Sequence, residues 1–393
     1  MSERDLRAEL LQAEPPDAFD AEARAYRVAA HSFAERERVP RRRRHTRRLV
    51  LGIAVLALVA AALSPPGSAV LDRLRDAVGR ERVVGVDRSR PLLLRLPAPG
   101  RVLVDSPSGP WVVNRDGTKR LLGDYGEPSW SPSGLYVVAT RGRELVALTP
   151  EGIVRWTIPQ RAAVRTPRWA PSGFRIAYFA GRDLRVTVAN GTGDRVLARG
   201  VPRVAAAWRP GEEHVLAYAR GNGVVRAVNT DTGQTLFRTA SGPVPVALAW
   251  TADGRTLVVL DRDGLRLFTG GGPPRRVSLG GRTGVALAAA ATGRTVAVVA
   301  RDVAGRGSEL LTVGRQVRRV FAGAGAFTDV AWSPDGEWLL VGWRSADQWV
   351  FVRSRGVERL VAVSNIGRQF AGRAGTPLRF PAPGGWCCAP DES

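Results

Sequence analysis

Six copies of one short motif recur along the chain: Trp130-Ser-Pro-Ser-Gly134, Trp169-Ala-Pro-Ser-Gly173, Trp208-Arg-Pro-Gly-Glu212, Trp250-Thr-Ala-Asp-Gly254, Ala289-Ala-Ala-Thr-Gly293 and Trp332-Ser-Pro-Asp-Gly336. Their first residues stand 39, 39, 42, 39 and 43 positions apart. A unit of that length cannot enclose a core of its own, so each must bury its apolar faces against its neighbours. Any function then belongs to the assembled array.

The unit reads as four strands, most plainly between Val246 and Leu279. An apolar strand ends at the Trp, a turn follows, and a second strand runs over Thr256–Leu260. In the last copy Pro334 presets the backbone for the second turn position, Asp335 suits the third and Gly336 the fourth. A hairpin, Asp261-Arg-Asp-Gly264, leads into a third strand at Leu265 to Phe268, and Val277 to Leu279 supplies a fourth. By composition Asn114-Arg-Asp-Gly117, Asn190-Gly-Thr-Gly193 and Asn229-Thr-Asp-Thr-Gly233 read as equivalent hairpins. Short strands rich in Val, Leu, Ile and aromatics suit sheets covered on both faces. Radial repetition of such sheets, a β-propeller, leaves few exposed edges.

These residues resemble the TolB-like propeller repeat, a relative of the WD repeat, whose signature is a Trp-Ser-Pro-Asp-Gly turn followed by an apolar strand. Trp332 to Gly336 matches it in full, the copy at Ala289 lacks Trp and Pro, and the copy at Trp208 has its Gly one place early. The resemblance covers about residues 100 to 360. It implies a membrane-anchored propeller of the kind found in high-GC bacteria, mostly without an assigned activity. Trp130, Trp169, Trp208, Trp250 and Trp332 then read as rings packed between blades, and Gly134, Gly173, Gly254, Gly293 and Gly336 as turn residues. Trp111, Trp156, Trp343, Trp349 and Trp386 fall outside the regular position.

Upstream of the first copy, Val102 to Asp105, Trp111 to Asn114 and Arg120 to Leu122 supply three strands without an initial one. Downstream of the last, Val361 to Phe370 offers a strand without a blade of its own. Joining the two ends removes the last free edge. The expectation is an all-β propeller of seven blades, six being the alternative, each of four antiparallel strands, behind a single transmembrane helix and a short helical cytoplasmic tail.

Ahead of the repeats, Leu49 to Leu63 is a run of 15 apolar or Gly residues, preceded by Arg41, Arg42, Arg43, Arg44, Arg47 and Arg48. A spanning helix takes about 20 residues, but flanking arginines snorkel and lengthen the effective span. A buried core helix fits so many charges at one end poorly, and a cleaved signal would have a charged region far beyond the usual length. The positive-inside rule then keeps residues 1–48 cytoplasmic and puts the propeller outside. The expected layout is a basic, partly helical tail over 1–48, an anchor over 49–64, a juxtamembrane helix and linker over 65–90, the propeller over 91–388 and a tail over 389–393. Ser68 to Gly79 reads as a short amphipathic spacer helix, and Phe19, Tyr26 and Phe33 share one helix face.

The chain carries a net charge of +22, and of its 58 basic residues all but Lys119 are Arg. That skew fits a GC-rich genome as well as a binding surface. A basic exterior attracts anionic lipids, cell-wall polymers or acidic ligands, whereas arginines dispersed over the blades argue against nucleic acid. The two cysteines, Cys387 and Cys388, are adjacent. They are compatible with free thiols or with a vicinal disulfide in an oxidising compartment.

No nucleophile elbow, His-Glu-x-x-His helix, phosphate loop or calcium loop occurs. His214 follows its turn by two places and reads as an ordinary strand residue. No cofactor or metal site is expected. The composite expectation is a non-catalytic, single-pass membrane module that binds a protein, a cell-envelope component or a small ligand on a propeller face. A propeller hydrolase or lyase is the first rival; it calls for Asp, Glu or His gathered at the channel mouth, where Arg, Gly and Val would count against it. A sensor acting through the Phe19 to Phe33 helix is the second.

Overall fold

Seven four-stranded antiparallel sheets follow one another along the described part of the chain. The structure is a computed structural model and describes residues 95–270, 272–355, 359–371 and 379–388. Blades 2 to 7 span 126–159, 164–198, 207–238, 247–278, 282–324 and 327–364 in chain order. Blade 1 combines Arg101–Ser106, Gly109–Val113 and Lys119–Leu121 with an inner strand, Ala382–Cys387, from the other end of the chain. The expected tail, anchor and spacer helix over 1–90 lie outside the described residues, as does the 389–393 tail. Among the described residues no helix is long and apolar enough to cross a membrane.

Strand geometry explains why the blades depend on one another. Successive side chains of a strand point to opposite faces, and in Thr256–Leu260 of blade 5 Leu257 and Val259 pack with blade 4 while Val258 and Leu260 pack with blade 6. The apolar clusters of the described residues all follow this rule, one at each seam, and one of them joins Leu340, Trp349 and Phe351 of blade 7 to Val102, Val104 and Trp386 of blade 1. Second strands are therefore buried over most of their length, and those of blades 5 and 7 completely, whereas outer strands such as Val154–Pro159 are largely exposed. The turns close as their chemistry requires. Ser333 Oγ accepts the Trp338 amide at 2.9 Å, Asp335 Oδ1 accepts the Glu337 amide at 2.9 Å, and Gly336 adopts φ 70°.

Three sequence expectations are corrected. Ring closure does join the chain ends, but through Ala382–Cys387; Val361 to Phe370 instead gives the outer strand of blade 7, Leu360–Ser364, and a short helix, Ile366–Gln369. The hairpins are not equivalent. Asp261 to Gly264 joins the second and third strands, whereas the turns at Asn114, Asn190 and Asn229 join the third and fourth, at the opposite end of a blade; Asx and Gly serve a tight turn equally at either end. Trp386 is not irregular. It stands opposite Val102 as Trp250 stands opposite Leu257 and Trp332 opposite Leu339, and so holds the repeat position of blade 1. Blades 4 and 6, whose motifs are weakest, differ sharply: the inner strand of blade 4 is only Ala207–Trp208, while that of blade 6 runs the length of Arg282–Ala289.

Candidate functional site: the bulged, charged channel

The inner strands face the axis of the ring, and in blades 1, 2, 3, 6 and 7 their pairing slips, at Leu103/Val104 opposite the blade 1 inner strand and at Gly126/Ser129, Arg165/Arg168, Gly284/Ala286 and Phe327/Val330. A bulge leaves residues off the ladder and re-aims them. In blades 2 and 3 the local cause is proline: Pro128 and Pro167 have no amide hydrogen to give to the ladder. The residues before them, Glu127 and Thr166, take φ of 49° and 44°. Left-handed backbone is costly for any residue with a Cβ, and most of all for a β-branched one.

The bulges line a cavity of about 850 Å³ bounded by blades 1, 2, 3, 6 and 7. Its charged lining is Asp105, Glu127 and Asp329 with Arg168, Arg344 and Arg379. Over the whole chain 58 basic residues outnumber 36 acidic ones, so an even balance here concentrates carboxylates on the axis. Glu127 bridges two blades: its Oε2 accepts the Thr166 amide at 2.5 Å and its Oε1 lies 3.5 Å from Arg165 Nη1. Arg379 pairs with Asp105. Asp329 forms no ion pair among the described residues.

Burial sets the electrostatics. It pushes the Asp105 carboxyl up, against the opposing pull of Arg379 and the Glu127 amide. It pushes Asp329 up as well; Thr328 and Arg379 resist, and the nearby Asp105 charge adds to the rise. Arg168 is enclosed by the ring yet open to the solvent in the channel; desolvation lowers its pKa while Glu127 and Asp329 act to raise it. The Thr166 hydroxyl is buried without a partner. Among the described residues the channel thus presents one carboxylate outside any ion pair, Asp329, one hydroxyl without a partner, Thr166, and two guanidinium groups, Arg168 and Arg344, with no carboxylate at ion-pair distance.

The residues singled out by sequence lie elsewhere. Trp130, Trp208 and Trp332 are buried in the seams, and Trp169 and Trp250 are half-buried. All eleven tryptophans are described, and none is exposed, so the propeller faces carry no tryptophan platform. Gly134, Gly173, Gly254, Gly293 and Gly336 take positive φ in their turns. Cys387 and Cys388 are joined by a disulfide and lean on the blade 2 turn, Cys388 Sγ lying 3.1 Å from the Pro132 carbonyl. Arg41, Arg42, Arg43, Arg44, Arg47 and Arg48 lie outside the described residues. His214 is not a strand residue: it sits in the turn before Val215–Ala219, 3.0 Å from Asp231 and 3.1 Å from Arg175. Asp105, Glu127, Thr166, Arg168 and Asp329 escaped the sequence reading. The available signal was a proline two places before Trp130 and Trp169, in strands otherwise fit for continuous pairing. Among the described residues no three side chains form a metal-binding group.

No family model matches the chain, and no curated protein does. Solved structures do. The β-propeller domain of Myceliophteria thermophila Cps50 (Swd1) superimposes with a TM-score of 0.51 at 15% identity, over 61% of this chain and 86% of that one. A chain of the mitotic checkpoint complex gives 0.52 at 14% identity, over 72% and 88%. At such identities the likeness shows the fold alone, and it agrees with the seven four-stranded sheets of the described residues: a seven-bladed β-propeller.

Proposed function

We propose that the protein is a non-catalytic binding module whose channel holds a small polar ligand, or a protruding side chain of a protein partner, that carries a cationic group. The bulged inner strands carry this reading: they place Glu127, Thr166 and Asp329 on the axis at the expense of unfavourable backbone and an unpaired hydroxyl. Strain and unsatisfied polar groups collect where a ligand completes them. The cavity, about 850 Å³, is of the size that small-molecule sites occupy. Asp329 would take the cation, with Thr166 and Arg168 serving a neighbouring acceptor.

The membrane-anchored TolB-like proteins supply the wider setting we infer. Leu49 to Leu63 is the anchor, the arginines from Arg41 to Arg48 hold the tail in the cytoplasm, and the propeller works outside. Protease applied to intact cells is then expected to digest material C-terminal to Ser64; full protection would reverse the orientation.

The hydrolase or lyase reading draws on the same carboxylates, since it called for acids at the channel. Acid-base catalysis needs one group free to give and another free to take a proton. Asp105 is committed to Arg379, and Glu127 to Arg165 and the Thr166 amide, which leaves Asp329 alone and favours binding. The discriminating experiment is mass spectrometry of small molecules retained by the full chain from envelope extracts, compared with Asp329→Asn and Thr166→Val. A retained compound lost from both variants supports the channel seat. Equal retention by all three sinks it, and conversion of the compound by the wild type alone establishes the enzyme.

A further inference from the structure

Blade 4 departs from its neighbours in a way that exposes an unpaired cationic cluster. Its strands Val215–Ala219, Val225–Asn229 and Thr235–Arg238 set Tyr218 opposite Arg226 and Arg226 opposite Arg238. Opposite residues share a face of the sheet, so two guanidinium groups meet on one rung. Blade 5 has the same register, with Val259 opposite Arg266 and Arg266 opposite Arg276. There Asp261, two residues beyond Val259, grips Arg266 through both oxygens at 2.6 and 2.9 Å. Blade 3 meets the same need with Asp194, which accepts from Arg185 at 2.6 Å and from the Tyr178 hydroxyl at 2.6 Å. In blade 4 the step two residues beyond Tyr218 leads to Arg220. The place of a carboxylate is taken by a third cation.

Among the described residues Arg220, Arg226 and Arg238 form no ion pair, and Arg226 Nε is buried without a hydrogen-bond partner. Together with Asn222, Thr239 and Ser241 they line a cavity of about 470 Å³ that contains no carboxylate. Three converging guanidinium groups repel one another unless an anion lies among them. The Thr239 hydroxyl is committed to the Ala240 carbonyl at 2.9 Å, and planar forks beside the Ser241 hydroxyl suit an oxygen-rich dianion with several acceptors.

We propose that this cavity binds a tetrahedral oxyanion, either inorganic phosphate or a phosphomonoester, independently of the channel. The blade 5 arrangement supplies the test. Arg220→Asp rebuilds in blade 4 the carboxylate that Asp261 provides, so Arg226 gains an internal partner and the anion loses its place. Isothermal titration of the full chain with inorganic phosphate at low ionic strength is expected to show saturable binding. Arg220→Asp and Arg226→Gln should weaken it about tenfold or more, and Arg220→Asp should leave thermal stability equal or higher. Arg315→Asp, an equal charge change at an exposed site of blade 6, should leave binding unchanged. Titration with glycerol 3-phosphate separates the sources: tighter binding than phosphate assigns the site to an esterified group such as a headgroup, and weaker binding assigns it to the free ion. Absence of saturable binding of both anions, or equal losses in Arg220→Asp and Arg315→Asp, would overturn the proposal.

Discussion

Arg209 lies over the ring of Trp250, its guanidinium carbon 5.2 Å from the centroid, and donates through Nε to the Gly254 carbonyl at 2.7 Å. The residue belongs to blade 4, while the ring and the carbonyl belong to blade 5. Arg101 of blade 1 repeats the device across the seam with blade 2, over Trp130 at 5.1 Å and donating to the Gly134 carbonyl at 2.6 Å. In both cases the indole nitrogen of the Trp is buried without a partner. The arginine therefore substitutes for the bond that Trp208 and Trp332 make to the preceding blade through Nε1, at 3.0 and 3.1 Å.

Arg209→Ala removes a cation–π contact and a charge-assisted hydrogen bond, and is expected to cost about 1–2 kcal/mol. Arg209→Lys keeps the charge but loses the planar fork, so it should restore little of that loss. Urea unfolding followed by circular dichroism measures both; full recovery in the lysine variant would show that charge alone suffices.

Asp253 makes stability depend on acid. Burial acts to raise its pKa, but hydrogen bonds from Thr251 and Arg294 and from the Arg255 amide hold it down to about 2. A carboxylate depressed on folding stabilises the fold above its unfolded pKa and loses that contribution as pH falls through the folded value. The melting temperature of Asp253→Asn should lie below wild type by a constant margin at pH 5 to 7, and the margin should close between about pH 4 and pH 2. A margin independent of pH would remove the charge from the explanation.

Trp386 closes the ring. It is 8% exposed, meets Phe351 edge-on at 5.6 Å and donates to the Pro99 carbonyl at 3.0 Å. Trp386→Ala is expected to cost about 3–5 kcal/mol, as for other buried aromatics. Limited proteolysis should then cut the chain first within blade 1. First cleavage at another blade would show that the seam between blades 7 and 1 is not the weak point.

Thr166 predicts a trade between stability and binding. Glycine tolerates φ 44° where a β-branched residue does not, so Thr166→Gly should gain up to about 1 kcal/mol against denaturant. It should also lose any ligand held through the hydroxyl, as measured by retention from envelope extracts. A destabilised variant would show that the bulge is not strained.

The strands of blades 2 to 7 and the Trp-centred turns were legible because they rest on local chemistry: alternation of apolar residues, proline at the second turn position and glycine where φ is positive. Blade 6 was legible from spacing alone, its motif having lost both Trp and Pro. The closing strand was not, because Ala382–Cys387 contains Pro383, Gly384 and Gly385 and shows no strand alternation of its own. It becomes a strand only by pairing with Arg101–Ser106. The candidate channel was hidden for a related reason. Asp105, Glu127, Thr166 and Asp329 are spread over more than 200 positions, and no spacing rule connects them.

The repeat period, the four-stranded unit and the dependence of each unit on its neighbours were settled by the chain's own order of residues, since they follow from side-chain alternation and turn geometry within about 40 residues. Tertiary structure decided which strand closes the ring, which residues turn toward the axis and which arginines are left without a carboxylate. Those outcomes depend on how strands come together in space: a single bulge re-aims Glu127, and the pairing that sets Arg226 beside Arg238 brings Arg220 to the place where blade 5 holds Asp261.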